Sequence, residues 1–247
     1  MTANQAEARG GLGTVRNAVL LLELLADGPV FQQLTELADR SGLSLPTTHR
    51  LLRSLVIAGL VTQDPRSSRY GLGPELARLS HRYLARLPIL GALSPYLIQL
   101  RDTLHATIEV HLLVRDAVVC VDQVDGSDSG AYRRSHTVHP ALDTPSGRLL
   151  VARAEDETWR DALAGRSLVE AEEAQALRAD WAVADRCAMA GEEPGSPTYL
   201  AVPVGTEAAA VALVALLPAG AAEGHLEMAA GQLTRAARAA ERAVGHA

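Results

Sequence analysis

Between Leu34 and Leu72 the chain carries two helical periodicities with a break of only a few residues between them, followed at once by two short strand-like runs around a polar turn. Leu34, Leu37 and Ala38 recur at helical spacing, with Thr35, Glu36, Asp39 and Arg40 on the other face. Gly42 stops this helix, because glycine enters the left-handed region at little cost. Ser44 suits the N-cap of the next helix, and Pro46 fits its first turn, where a missing N–H costs nothing. Thr48, Leu51, Leu52 and Leu55 then form one apolar stripe. The run 60–63 reads as a strand, Asp64-Pro65-Arg66-Ser67-Ser68 as a turn, and 69–72 as the returning strand. Helix, tight turn, helix and flap in this order are the plan of a winged helix-turn-helix.

The face opposite the stripe gives that plan a chemistry. It carries Leu45, His49, Arg50 and Arg53, with Ser44 and Thr47 at the helix start. A helix that only closes a core gains nothing from two arginines and a histidine along one side. A helix placed in a DNA major groove does, since arginine pairs with guanine edges or phosphates and short polar groups near the N-terminus meet bases. Arg66 and Arg69 lie at the flap tip, where a wing meets phosphates or the minor groove. Surface arginines are more often simply solvated; the wing in the right order and at the right distance is what favours DNA.

A preceding helix is expected from Thr14 to Asp27, with Val15, Val19, Leu22, Leu25 and Ala26 as its apolar face and Gly28-Pro29 as its end. Residues 1–13 read as a disordered leader. Three segments, TVRNAVLLLELLADGP, LTELADRSGLSLPTTHRLLRSL and RYGLGPELARL, together resemble the N-terminal domain of the IclR family of bacterial transcription regulators. The family's Thr-x-His-Arg-Leu-Leu is present as Thr47, His49, Arg50, Leu51 and Leu52. Its wing closure is present as Tyr70, Leu72 and Gly73.

Charge is placed unevenly along the 247 residues. Residues 1–87 hold 10 arginines against 7 acidic groups, a formal +3; the remainder carries −9, within a whole of −6. An acidic chain with a mildly basic N-terminal end suits contact with DNA through one domain only. A head of +3 binds weakly by itself. Pairing as a homodimer or homotetramer would double the phosphate contacts and match a pseudo-palindromic operator. Two cysteines, Cys120 and Cys187, give neither a disulfide framework nor a metal pattern, and a reducing cytoplasm is expected. No apolar run is long enough to cross a bilayer.

Pro74 to Leu87 reads as a helix able to transmit rotation between a head and a sensor. A second helix is expected to begin at Ser94-Pro95 and reach about His105. From Thr107 the period changes to strands: TIEVHLLV, a turn at Arg115-Asp116, then AVVCVDQV, with AYRRSHTVH as a third. Ser146 to Ala154 and Glu155 to Asp180 read as helices, TYLAVPV and AVALVALL as strands, and His225 to Val244 as a last helix. The fold class is therefore α+β. The expected domains are the leader 1–13, a winged helix-turn-helix at 14–73, a helical linker at 74–92 and a sheet domain at 93–247.

The resemblance implies that this last domain is a GAF-like effector-binding and oligomerisation unit, with a small-molecule pocket on one face of its sheet. One wall is the loop into Ser146-Gly147, where the family usually reads Leu-His-Ala-Thr-Ala-x-Gly-Lys. Here the segment is Ala141 to Arg148: Thr144 and Gly147 match, and the histidine has become Leu142. Amide groups at this helix start are expected to be able to hold a carboxylate. A family acid falls on Asp185, a pocket residue near Tyr199, and the serines of keto-acid binders on Ala215 and Leu217. Cys120 is read as core or pocket lining. The expected effector is therefore bulkier or more apolar than a short keto acid, an aromatic acid or a lactone.

No cofactor and no metal are expected. His105, His111, His136 and His139 fit no compact ligand spacing, and Asp122, Asp125 and Asp128 lack the terminal glutamate of a calcium loop. No phosphate loop, nucleophile elbow or dinucleotide fingerprint occurs. A ligand-responsive regulator is favoured, a repressor being the commoner kind in this family. A DNA-binding regulator with a vestigial sensor, or an enzyme using the sheet domain, are the alternatives.

Overall fold

The computed structural model describes residues 3–126, 137–191, 193–205 and 210–245. The chain divides between Tyr83 and Leu84 into two units, each packed mainly on itself. The α+β class holds, with a winged helix-turn-helix in the first unit and an antiparallel sheet with helices in the second.

In the first unit α1 spans Ala3–Ala26, α2 Leu34–Ser41 and α3 Leu45–Ile57, followed by β1 (Val61–Gln63), β2 (Tyr70–Leu72) and α4 (Glu75–Leu84). The core is built from Leu21, Leu25, Leu37, Leu51, Leu52, Leu55, Val61 and Tyr70. All four residues of the α3 stripe are buried, as their spacing requires. Gly42 ends α2 at φ +67°, and Ser44 caps α3 by accepting from the Thr47 N–H.

The helix α1 is Ala3–Ala26; Met1 and Thr2 lie outside the described residues. One expectation for α1 changes: the buried face is rotated. Leu21 and Leu25 are in the core with Ala18, Leu22 and Leu24 against it, whereas Val15 is 65% exposed and Val19 41%. A leucine-rich run offers more than one apolar stripe, and packing against α2 and α3 selects among them.

Gln32, in the loop before α2, ties this unit together, and nothing in the sequence marks it. It is 2% exposed. Its Nε2 donates to the Leu24 and Leu25 carbonyls at the end of α1 (2.9 and 3.3 Å), and its Oε1 accepts from Arg40 at 2.6 Å. Its backbone exchanges two hydrogen bonds with Tyr70 (2.8 and 2.9 Å), which adds a bridge to the wing. Gly73 lets the chain leave the wing: a Cβ there would lie 2.1 Å from the Gly59 carbonyl oxygen.

In the second unit α5 spans Pro88–Leu104, β3 Thr107–Val114, β4 Ala117–Val124 and β5 Val138–Pro140. A 3-10 turn at Ala141–Asp143 leads into α6 (Pro145–Ala152), α7 (Asp156–Leu163) and α8 (Leu168–Val183). Then follow β6 (Cys187–Ala190), β7 (Thr198–Val204), β8 (Val211–Leu217) and α9 (Glu223–Gly245). The strands form one antiparallel sheet in the order β5-β4-β3-β8-β7-β6. One face packs on α5 and α9 through Ile108, Val110, Leu112, Leu200, Val202, Leu213, Ala215 and Leu217. The other face packs on α6 through Val118, Ala201, Ala212 and Val214.

The boundary expected at 92/93 moves. Ile89 and Leu93 lie in the core of the second unit, so α5 belongs to it from Pro88 onward. Pro95 does not start this helix; it sits inside α5 on the exposed side. The unbroken stripe Ile89, Leu93, Leu97, Leu100 and Leu104 outweighs the single hydrogen bond a proline removes where water can replace it. The long polar helix expected from Glu155 is two helices. Gly165 turns the chain at φ +80°, and Ser167 with Glu170 forms a capping box that starts α8. Strand β6 is absent from the sequence expectations; four residues of alternating half-burial at a sheet edge carry little signal.

Candidate nucleic-acid interface and sensor face

On α3 the side chains of Leu45, His49, Arg50 and Arg53 are all exposed. Ser44 is exposed and Thr47 half-buried; their hydroxyls lie 2.8 Å apart, so both are engaged in starting the helix. Arg66 and Arg69 are exposed in the wing turn. That turn is held by Asp64, whose carboxylate accepts from the Ser67 hydroxyl, the Ser67 N–H (2.9 Å) and the Arg66 N–H (3.3 Å). The same bonds, the Ser67 hydroxyl foremost, hold the Asp64 carboxyl below the usual aspartate range.

The arginines of this unit divide into two kinds. Arg40 is committed to Gln32 and Arg78 is paired with Glu75. Among the described residues Arg50, Arg53, Arg66 and Arg69 form no ion pair. Their guanidinium groups remain available to an external anion or base edge, and holding them apart from acids is what a polyanion-binding face needs.

On the α6 side of the sheet, the residues expected to bind an effector are only partly brought together. Thr144, Ser146 and Gly147 meet at the start of α6, and Cys120 faces them from β4. Ser146 is fully buried, and its Oγ lies 2.7 Å from His111 Nδ1 and 3.3 Å from Thr144 Oγ1. His111 Nε2 lies 2.9 Å from Glu109 Oε2. Glu109 and His111 are not among the residues expected at this site. The signal that could have found them is two polar residues at alternate positions in an otherwise apolar strand, which places both on one face.

The other residues expected at this site lie apart from it or are otherwise engaged. Ala215 and Leu217 point into the core under α5 and α9, not toward α6. A strand alternates with period two, so an alignment off by one residue moves a side chain to the opposite face; the α6-side residues are Val214 and Leu216. The carboxylate cradle at the α6 start is largely spent. Pro145 has no N–H, the Gly147 N–H goes to Thr144 Oγ1 at 3.0 Å, and the Arg148 N–H to the Thr144 carbonyl at 3.1 Å. Asp185 is exposed in the connection from α8 to β6. Tyr199 is on the α6 face but pairs with Leu216, whereas His111 pairs with Ala212; four residues along a strand is roughly 13 Å. His136 and Asp128 lie outside the described residues.

A profile described as the IclR helix-turn-helix domain matches residues 14–65. The head therefore carries a helix-turn-helix domain of the IclR type. It is 31% identical over 165 residues to the glycerol operon regulatory protein of Streptomyces griseus, covering 64% of this chain and 65% of that one. The chain spans about half to two thirds of the length of the first curated relatives it matches, from 48% to 65%. In fold it is similar to the crystal structure of an IclR family regulator from Brucella abortus, with TM-score 0.77 and 22% identity over 93% of this chain and 91% of that one. It is also similar to an IclR homologue from Microbacterium hydrocarbonoxydans complexed with 4-hydroxybenzoate, with TM-score 0.69 and 20% identity over 95% of this chain and 100% of that one. Among the described residues no helix is long and apolar enough to cross a membrane.

Proposed function

We propose that the chain is a sequence-specific DNA-binding transcription regulator, a repressor, whose operator affinity is set by a small molecule bound in the second unit. The observation that carries the first half is the α3 face, where Arg50 and Arg53, like Arg66 and Arg69 in the wing, are exposed and form no ion pair among the described residues. Arg50 and Arg53 read base edges and Arg66 and Arg69 hold phosphates. Two or four copies engage a pseudo-palindromic operator, since one head of +3 gains too little from counterion release. The relatives' names, which include a glycerol operon regulatory protein, support the same reading. Regulators of this kind act in the cytoplasm.

The sensing half rests on the α6 face of the sheet. Its apolar residues are Ala212, Val214 and Leu216, packed against α6, with Cys120, Thr144 and Ser146 at one end. Side chains this apolar suit an aromatic acid or a lactone better than a short keto acid, and the 4-hydroxybenzoate bound by one IclR homologue is of this type. Such a ligand shifts the DNA equilibrium only through its differential affinity for two conformations. Selection of operator sequences by the purified protein tests the first half, with Arg50→Ala and Arg53→Ala as controls. Enrichment of no site, or unchanged enrichment by both variants, refutes it. Thermal stabilisation by aromatic acids or lactones, with none by glyoxylate or pyruvate, is expected; the reverse result overturns the effector class.

One observation favours a vestigial sensor as the second reading: Thr144, Ser146, His111 and Glu109 satisfy one another without a ligand. Operator binding unmoved by any metabolite fraction would select it.

A further inference from the structure

Glu109 and His111 occupy alternate positions of β3 and so share the α6 face. Cys120 joins them from β4 because the pairing slips. Ile108 pairs with Val124, Glu109 with Gln123 and Val110 with Asp122; then His111 pairs with Cys120, and Val121 is skipped. Without that bulge His111 would oppose Val121, and Cys120 would oppose Leu112, a residue of the α5–α9 core. Bulges re-aim side chains. This one brings a thiol to a carboxylate and an imidazole, and ligand atoms of the three lie within 4.8 Å of one another. All three are withdrawn from water: His111 is 5% exposed, Cys120 3%, and the Glu109 side chain 12%.

The cluster is rich in acceptors. A ring nitrogen and a carboxylate oxygen 2.9 Å apart need something positive between their lone pairs, a proton or a metal ion. Ser146 Oγ holds the other ring nitrogen at 2.7 Å, the kind of outer contact that orients a ligating histidine. Across from Glu109, Gln123 has a buried Oε1 with no hydrogen-bond partner among the described residues, its amide nitrogen being used on Asp125. A buried acceptor left alone is unfavourable and marks a place where a cation-held water or ligand would be stabilising.

We propose that Glu109, His111 and Cys120 bind one zinc-class divalent ion, leaving a fourth position for water or an oxygen of a small molecule. Thiolate, imidazole and carboxylate are the donor types such an ion takes, and three protein ligands with one open position is its usual non-structural arrangement. Donors held at about 2.0–2.3 Å from one ion stand roughly 3.3–3.8 Å apart, so the histidine–glutamate pair opens slightly and the thiol need close by no more than about 1.5 Å. On binding, Cys120 releases its thiol proton to solvent and His111 presents neutral Nε2. Burial and the Glu109 charge push the free thiol up to about 12, and the cation reverses that preference.

The test uses the full chain stripped with a chelator, cobalt(II) as an optical probe and zinc as competitor. One cobalt per chain is expected, with a near-ultraviolet thiolate-to-cobalt band that zinc removes. Cys187→Ser keeps the band. Cys120→Ser loses it, and Glu109→Gln and His111→Gln weaken the affinity by about 10–100-fold or more. Circular dichroism and operator binding report folding and the DNA head separately. Should Cys120→Ser not fold, the near-isosteric Glu109→Gln carries the test by affinity alone. No stoichiometric cobalt uptake, a band that survives in Cys120→Ser, or an unchanged affinity in Glu109→Gln overturns the assignment.

Discussion

The exposed face of α3 and the α6 face of the sheet handle polar groups in opposite ways. On α3 the arginines form no ion pair among the described residues and stay hydrated, where they cost the fold nothing and can meet an external partner. Under α6 the polar groups are buried and bound to one another, so each depends on its neighbours for stability. A side chain removed from the first face should alter binding and leave folding alone. Removal from the second should alter folding first.

The largest expected effect tests the second half of that contrast. His111→Ala leaves Glu109 and Ser146 buried without their partner and should destabilise the second unit by about 3 kcal/mol. Chemical denaturation would show the loss; a change below about 1 kcal/mol would mean that water enters and the face is less dry than its burial indicates. Gln32→Ala is the counterpart in the first unit. It breaks the ties to the end of α1 and to Arg40 and should cost about 2 kcal/mol by the same measurement.

Arg50→Ala should reverse the pattern. Specific operator binding is expected to weaken by about 1–3 kcal/mol, read by titration at fixed salt, while stability stays within about 0.5 kcal/mol of wild type. Arg66→Ala should act more weakly and on all sequences alike, lowering the salt slope of binding by about one unit. A sequence-dependent effect would move the wing from phosphate to base contact.

The smallest effect concerns Asp64. Its carboxyl is lowered on folding, so the stabilisation it gives the wing is present above the ordinary aspartate range and is lost as pH falls through its lower folded value. The Ser67 amide should therefore exchange faster in Asp64→Ala than in wild type near neutral pH, and the two should converge in acid. Equal exchange at both pH values would remove Asp64 from the wing's support.

The head was largely legible because its signals are local. Gly42, Ser44, Pro46 and the stripe Thr48, Leu51, Leu52 and Leu55 each act within one or two turns of their own helix, and the period of that stripe fixes which residues remain outside. The sensor face was less legible because its chemistry depends on partners far apart in the chain. His111 meets Ser146 across 35 positions, and Cys120 meets His111 only because one residue of β4 is skipped. Ala215 falls on the face opposite to the expected one for a related reason: alternation is clear in the sequence, but its phase is set by what packs above and below. The amino-acid sequence by itself therefore determined the elements of the head, its resemblance to the IclR helix-turn-helix domain and the presented face of α3. Only the tertiary structure decided which side of each strand meets α6, that Gln32 locks the head, and that a carboxylate, an imidazole and a thiol share one buried place, because register and packing are properties of the whole sheet and not of any one strand.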